Sequence, residues 1–534
     1  MARIRARAAV LTGAVACAAI LIAHGQTSSP LAIVPGLGLP AVEESFALTY
    51  TPGASPLRDA LQRERAGGDT GYVPGRLIVR FRDQSSTIER EAAIRHALGE
   101  PSAFIAQRPE HANFDLVRID AADDAEVAAE TLGYEPSVEY AQAAYRLRPT
   151  FVPNDPQYAT LQWNLPLLNL EQAWDIQPSA GSSIVVAILD TGLAYTNATV
   201  TATIPAFTNR GVAYPALGRV TIPYSAAPQL VGNGNASRIV APHDFIWNTA
   251  VPLDFDGHGT HVAGTIGQLT NDSAGTAGVA FNVRLMPVKV LDEVWDDLFG
   301  SPNQATDDVV AQGIRYAADN GANIINMSLG RTSPATCGTN RNQPGCAPAI
   351  EDAITYAVSK GVFFAISAGN EGLDSSHPTS TPAEIANRVQ GAVSVAAIDA
   401  TSGHAYYSSQ GPWVELAAPG GSDAQPGGGK LIYQQTFDFR VVQTFNPSIV
   451  APSNYTAPRF DVLTTVGYEG TSMAAPHVAG IAAMMMQQGV TSPAAIEALL
   501  EKYAVDLGAS GRDDLFGFGL IDARAVLRGM GLNR

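Results

Sequence analysis

Five short runs rich in Val, Ile and Ala, SIVVAILD, VRLMPVKVL, ANIINMSLG, GVFFAISAGN and GAVSVAAI, recur between residues 183 and 398 with helix-length segments between them. A strand without polar alternation is covered on both faces, which is the condition of a parallel sheet flanked by helices. The runs predict an α/β domain over 149–534, built on a mostly parallel sheet with helices on both faces. Its helices read as HVAGTIGQ, DDVVAQGIRYAADN, AIEDAITYAVSK and TSMAAPHVAGIAAMMMQQG. Ligands of such sheets gather outside the carboxyl ends of the strands, so functional residues are expected where the apolar runs stop.

The chain ahead of this domain has three textures. Residues 1–25 place Arg3, Arg5 and Arg7 before an apolar run from Ala8 to Ala23, the order of a secretory signal peptide. A retained anchor, or a lipid on Cys17, is the alternative, although the run is marginal for spanning a bilayer. Residues 26–71, rich in Pro, Gly and Ser, read as a linker. Over 72–148 the segments PGRLIVRF, TIEREAAIRHALG, AFIAQ, FDLVRI, AEVAAETLG and VEYAQAAYRL give strand, helix, strand, strand, helix, strand, a small ferredoxin-like α+β domain. A secreted protein without stable membrane association after signal cleavage is expected. With 33 Lys and Arg against 50 Asp and Glu, the formal net charge of -17 repels phosphate backbones, so no nucleic-acid partner is expected. Once the signal is removed, Cys337 and Cys346 are an even pair in a Gly, Pro and Asn-rich loop, read as a disulfide with two free thiols as the alternative.

The run ends carry the chemistry. The first stops at Asp190, where Thr191 and Gly192 turn the chain and leave a carboxylate at the rim; alone, an Asp before a turn is an ordinary structural residue. In DGHGTHVAGT, His258 has room between Gly257 and Gly259, while His261 is expected to point into packing. A helical zinc site places its histidines at i and i+4 around a Glu; here the spacing is i, i+3 with Gly259 and Thr260 between, which argues against metal. Ser472, in YEGTSMAAPHVAG, opens an apolar helix, where backbone N–H groups and the helix dipole favour an oxyanion; a plain N-cap serine is the alternative. Asn370 ends the GVFFAISA run with a side-chain amide. A weak hydroxyl nucleophile needs a base and a group to orient that base, and Asp190, His258 and Ser472 supply the three types in the order Asp, His, Ser.

The segments AILDTGL, DGHGTHVAGT, INMSLG, SAGNEG and GTSMAAPHVAG closely resemble the subtilisin-like serine protease family, from about Asn154 to GFGLIDARAVL. The resemblance implies a nucleophile Ser472, base His258, orienting acid Asp190 and oxyanion amide Asn370. It implies that Ser328, Leu329 and Gly330 form an edge that pairs with extended protein or peptide substrates. The small domain resembles the family's inhibitory propeptide, the chain's own partner, cut by the enzyme itself between about Tyr145 and Asn154. The loop LTNDSAGTAGVA resembles the family's calcium loop, with Asp155, Thr270, Asp272, Ala274 and Thr276 as ligands of a structural Ca²⁺; an ordinary turn is the alternative, because the acidic residue expected after DTGL is replaced by an insertion. Insertions at 194–241 and 420–462 read as surface loops. A monomeric endopeptidase losing activity below about pH 6 to 7 is expected, from the ordinary histidine value. Acyl transfer to an amine, making or cyclising peptides, and a catalytically silent binding protein are the rival functions.

Overall fold

The structure is a computed structural model that describes residues 72–99, 103–106, 108–145, 151–209, 211–232, 238–333, 337, 341–372, 379–424, 430–442 and 451–529. The expected signal peptide and linker lie outside the described residues. Each of the five apolar runs becomes a strand of one seven-stranded sheet: β5 (Val185–Asp190), β11 (Arg284–Lys289), β12 (Ile324–Met327), β14 (Phe363–Ser367) and β16 (Ala392–Ile398). The sheet is completed by β10 (His243–Asp244) and β17 (Leu416–Pro419), in the order β10-β11-β5-β12-β14-β16-β17, all parallel.

Strand β5 shows why the runs lack polar residues. Val186 and Ile188 enter one core and Val185, Ala187 and Leu189 the other, because successive side chains point to opposite faces and both faces are covered. Helices α3 (His258–Gly267) and α6 (Thr471–Gln487) belong to the first core; α4 (Asp307–Asp319) and α5 (Pro348–Ser359) belong to the second. Helix α6 is buried from Thr471 to Met486, a central rod rather than an amphipathic surface helix. A methyl at Gly480 would lie 2.6 Å from Val279 Cγ1, so this glycine lets the rod approach its neighbour.

The insertions are not plain loops. Within 194–241, β6 (Ala198–Ile204) and β9 (Gly218–Tyr224) form an antiparallel ribbon with a smaller hairpin, β7 (Phe207–Asn209) and β8 (Val212–Tyr214), at its tip. Thr and Val or Ile alternate in ATVTATI, a two-residue period that the surrounding Gly, Pro and Asn composition hides. Within and beyond 420–462, β18 (Ile432–Phe437) pairs with β19 (Leu463–Tyr468).

The small domain has the expected order: β1 (Tyr72–Phe81), α1 (Thr87–Leu98), β2 (Phe104–Ile105), β3 (Asp115–Arg118), α2 (Ala125–Gly133) and β4 (Val138–Tyr145), in a sheet ordered β2-β3-β1-β4. Leu77, Val79, Phe81, Ile94, Val117 and Leu132 fill its core. Its helix α1 opens with a reciprocal capping box between Ser86 and Glu89. Beyond β4, Phe151 packs against Trp174 and Phe281 of the larger domain at 5.6 and 6.1 Å.

Candidate active site

Asp190 is the last residue of β5 and fully buried. Its Oδ1 accepts hydrogen bonds from the Thr191 backbone N–H at 2.8 Å and lies 2.7 Å from His258 Nδ1. In the neutral ring that contact favours one tautomer, with Nδ1 donating to the carboxylate and Nε2 left as the acceptor. His258 is the first residue of α3, its side chain 15% exposed. Two glycines make the approach possible. Gly257 has φ 103 and a methyl there would lie 2.6 Å from Thr436 Oγ1; at Gly259 it would lie 2.3 Å from the Gly192 carbonyl oxygen. His261 is buried as expected, stacked on Tyr468 at 4.5 Å, with Nε2 facing the Ile432 and Val466 carbonyls. Burial pushes it down to about 3, so it is neutral.

Ser472 is the second residue of α6, where an N–H has no carbonyl four residues back. Pro476 lacks an N–H and leaves the Ser472 carbonyl without its intrahelical donor, and the Ser328 hydroxyl supplies one at 2.8 Å. The Ser472 hydroxyl in turn donates to the Ser328 carbonyl at 3.2 Å rather than to His258. Ser328 directly follows β12, whose Asn326 is in register with Ile188 of the neighbouring β5, two residues before Asp190. Asn370 follows β14. Its Oδ1 accepts from the Thr471 N–H and hydroxyl at 2.9 and 2.8 Å, while among the described residues its Nδ2 makes no hydrogen bond and faces Gly470, the residue that precedes the helix. Leu329 is buried and its carbonyl accepts from Ser367 Oγ at 3.4 Å; Gly330 is exposed at the strand end.

Electrostatics move His258 away from the ordinary histidine value. Burial alone would lower the His258 pKa, but the charge of Asp190 and its hydrogen bond, then the charges of Asp256 and Glu293, lift it to about 9. The direction is upward from the ordinary histidine value, through carboxylates that the sequence alone does not place beside the ring. Asp256 accepts the His258 backbone N–H at 3.0 Å and is itself raised to about 6, by burial first and then by Asp254.

A profile of the subtilase family matches residues 181–519 and spans Asp190, His258, Asn370 and Ser472. The chain belongs to the subtilase family. Thermitase of Thermoactinomyces vulgaris is 30% identical over 361 residues, 68% of this chain and 94% of its own. An extracellular protease of Xanthomonas campestris pv. campestris is 29% identical over 524 residues, 94% of this chain and 76% of its own. A solved protease of Pseudoalteromonas arctica is 27% identical with a TM-score of 0.51, covering 71% of this chain and 100% of its own. Ahead of the protease, the fervidolysin N-terminal prodomain profile matches residues 58–143. This subtilase is a serine protease with a prodomain, and its fold is the subtilisin-like one.

Away from the triad, Cys337 and Cys346 of the subtilase are joined in a disulfide. Asp155 stands against the loop after α3, accepting the Asn271 N–H at 2.7 Å and the Asp272 N–H at 3.4 Å. Burial, and more weakly Asp272, raises the Asp155 carboxyl. Among the described residues no three His, Cys, Asp or Glu form a metal-holding cluster, so a cation here would lean on carbonyl and amide oxygens. One such oxygen escaped the sequence reading. Gln229, from the first insertion, donates to Asp272 Oδ2 at 3.2 Å and turns its buried, unpartnered Oε1 toward Gly275. Asp272 on this loop, and Asp155 and the orphaned Gln229 amide oxygen reaching it from two other segments, are hard oxygen donors of the kind a calcium ion takes. The Thr276 carbonyl already accepts Gln268 Nε2 at 2.7 Å and keeps one lone pair. Thr270 uses its hydroxyl within the loop, bonding the Gln268 carbonyl and the Gly278 N–H, and the Ala274 N–H donates to Asp272 Oδ1. Among the described residues no helix is long and apolar enough to cross a membrane.

Proposed function

We propose that the protein is a secreted, monomeric endopeptidase that hydrolyses peptide bonds through Asp190, His258 and Ser472. The 2.7 Å contact between Asp190 and His258 at the strand end shared with Ser472 carries this reading. Ser472 Oγ attacks the scissile carbonyl carbon as His258 Nε2 takes its proton, and Asp190 stabilises the imidazolium. The oxyanion is received by the Ser472 N–H and by Asn370 Nδ2, the amide that Thr471 orients and leaves unbonded. The proton then passes from His258 to the leaving amine, and water repeats the cycle on the acyl-enzyme. The attack requires the serine hydroxyl to leave the Ser328 carbonyl, which suits a site completed only when substrate arrives. Ser328, Leu329 and Gly330 present main-chain groups to an extended substrate, giving broad specificity.

The prodomain inhibits until the enzyme removes it. Phe151 is already seated on Trp174 and Phe281, which supports cleavage ahead of it, in the stretch after Tyr145. Calcium, held by Asp155, Asp272, Gln229 and carbonyls of Thr270, Ala274 and Thr276, supplies stability and takes no part in the chemistry. Secretion is supported by the Xanthomonas relative's description as extracellular. The test is casein hydrolysis and N-terminal sequencing of purified wild-type and Ser472→Ala protein. The wild type is expected to cut casein and begin between 146 and 151. The variant is expected to do neither, and a processed Ser472→Ala protein would exclude self-cleavage.

A further inference from the structure

Asp254 lies four residues before His258, fully buried, and takes no part in the proton transfers above. Its Oδ1 accepts hydrogen bonds from Thr191 Oγ1 at 2.9 Å, the Asp256 N–H at 3.0 Å and the Gly257 N–H at 2.8 Å. Its Oδ2 accepts from the Thr260 N–H at 2.9 Å and hydroxyl at 2.6 Å. Thr191 Oγ1 also accepts the Gly259 N–H at 2.9 Å. One carboxylate thus ties the turn after Asp190 to the residues on both sides of His258.

The backbone of Asp254 is held from the other direction. Its N–H donates to the Tyr224 hydroxyl at 2.9 Å, and Tyr224 ends β9, in the first insertion. The two insertions are joined at that point: the Ser225 N–H donates to the Phe460 carbonyl at 2.9 Å and the Phe460 N–H to the Pro223 carbonyl at 3.0 Å. The Tyr224 ring meets Phe437 at 5.3 Å and Phe460 at 5.9 Å, and both meet it from the second insertion. Phe255, next to Asp254, packs on Phe460 at 5.3 Å.

We propose that the two insertions form a brace for the catalytic histidine, with Tyr224 and Asp254 as positioning residues that hold the Asp190–His258 pair in register. The inference rests on the triad reading and goes beyond it, by giving the insertions a task. A misplacement of about 1 Å at a reacting group costs on the order of 100-fold in rate. An amide at 254 would set its N–H groups against donors, so Asp254→Asn is expected to lower kcat about 100-fold with KM changed less than about threefold. Tyr224→Phe leaves the Asp254 N–H without its acceptor and is expected to lower kcat about tenfold. In both, the acid limb of the pH–rate profile moves down toward the ordinary histidine value, because the Asp190 contact is loosened. Phe207→Leu, at the far end of the same insertion, is the control: it lowers Tm and leaves kcat and the acid limb in place.

The brace is overturned if folded Asp254→Asn and Tyr224→Phe proteins keep wild-type kcat and acid limb, or if Phe207→Leu loses as much kcat as Tyr224→Phe. Stoichiometric labelling of wild-type Ser472 by an organofluorophosphonate tests the triad separately. Its absence would sink the triad reading itself, whereas labelling with unaltered variants would sink only the brace.

Discussion

Asn370 illustrates how a single residue is made ready for chemistry. Thr471 takes both donor contacts to its amide oxygen, so the amide nitrogen is fixed and unspent. Asn370→Ala is expected to lower kcat by the roughly 100- to 1,000-fold known for the family's oxyanion donor, with little change in KM, measured on a peptide substrate. His258 sets the pH range. A base whose pKa is raised stays protonated, and so inactive, until pH climbs past that value. Activity is therefore expected to rise with pH through about 9, where the sequence alone gives 6 to 7. A pH–rate profile with its acid limb near 6.5 would show that the carboxylates around the imidazole, Asp190 first, do not lift it. These roles differ in how far the sequence reveals them. Asp190 and Asn370 stand where apolar runs end and His258 and Ser472 where helices begin, in motifs of fixed spacing. Asp254 and Tyr224 stand in no motif, and their partners come from strands and insertions distant along the chain.

Among the elements, the five apolar strands were legible because burial on both faces removes the polar alternation of a half-exposed strand. The ribbon β6–β9 was not, because one polar face of Thr residues and an insertion's composition disguise it; β17 was missed because VELAAP is short and interrupted by a charge. Helix α3 was legible from HGTH onward, but its demand for glycine at 259 is a tertiary fact. Gly259→Ala would press a methyl against the Gly192 carbonyl and the Asp190 side chain. It is expected to destabilise the fold by about 1–3 kcal/mol and to lower kcat, both readable by denaturant melts and initial rates. The loop after α3 gives a further expectation. EDTA should lower Tm by several degrees and added Ca²⁺ restore it, since an ion bound only by the folded state stabilises it. Gln229→Leu should abolish that shift. An EDTA-treated wild type with unchanged Tm would remove calcium from the account.

At the scale of the molecule, a prodomain precedes a protease whose two cores lie on either side of one sheet. The order of the two domains was readable from the change of texture near Pro149, where a split βαβ pattern gives way to long apolar strands. What was hidden is the joining of the insertions, which depends on rings from both meeting over Tyr224. The disulfide between Cys337 and Cys346 closes a short loop and contributes about 2–3 kcal/mol in the chain-entropy picture, a local staple beside cores of this size. A proton-transfer unit of three residues is tested most directly by peptide mapping of processed protein labelled by an organofluorophosphonate at pH 9. Such a unit predicts one label per molecule, on Ser472, formed on the order of 1,000-fold more slowly in His258→Ala. A label on another residue, or one on Ser472 that forms as fast without the imidazole, would contradict it.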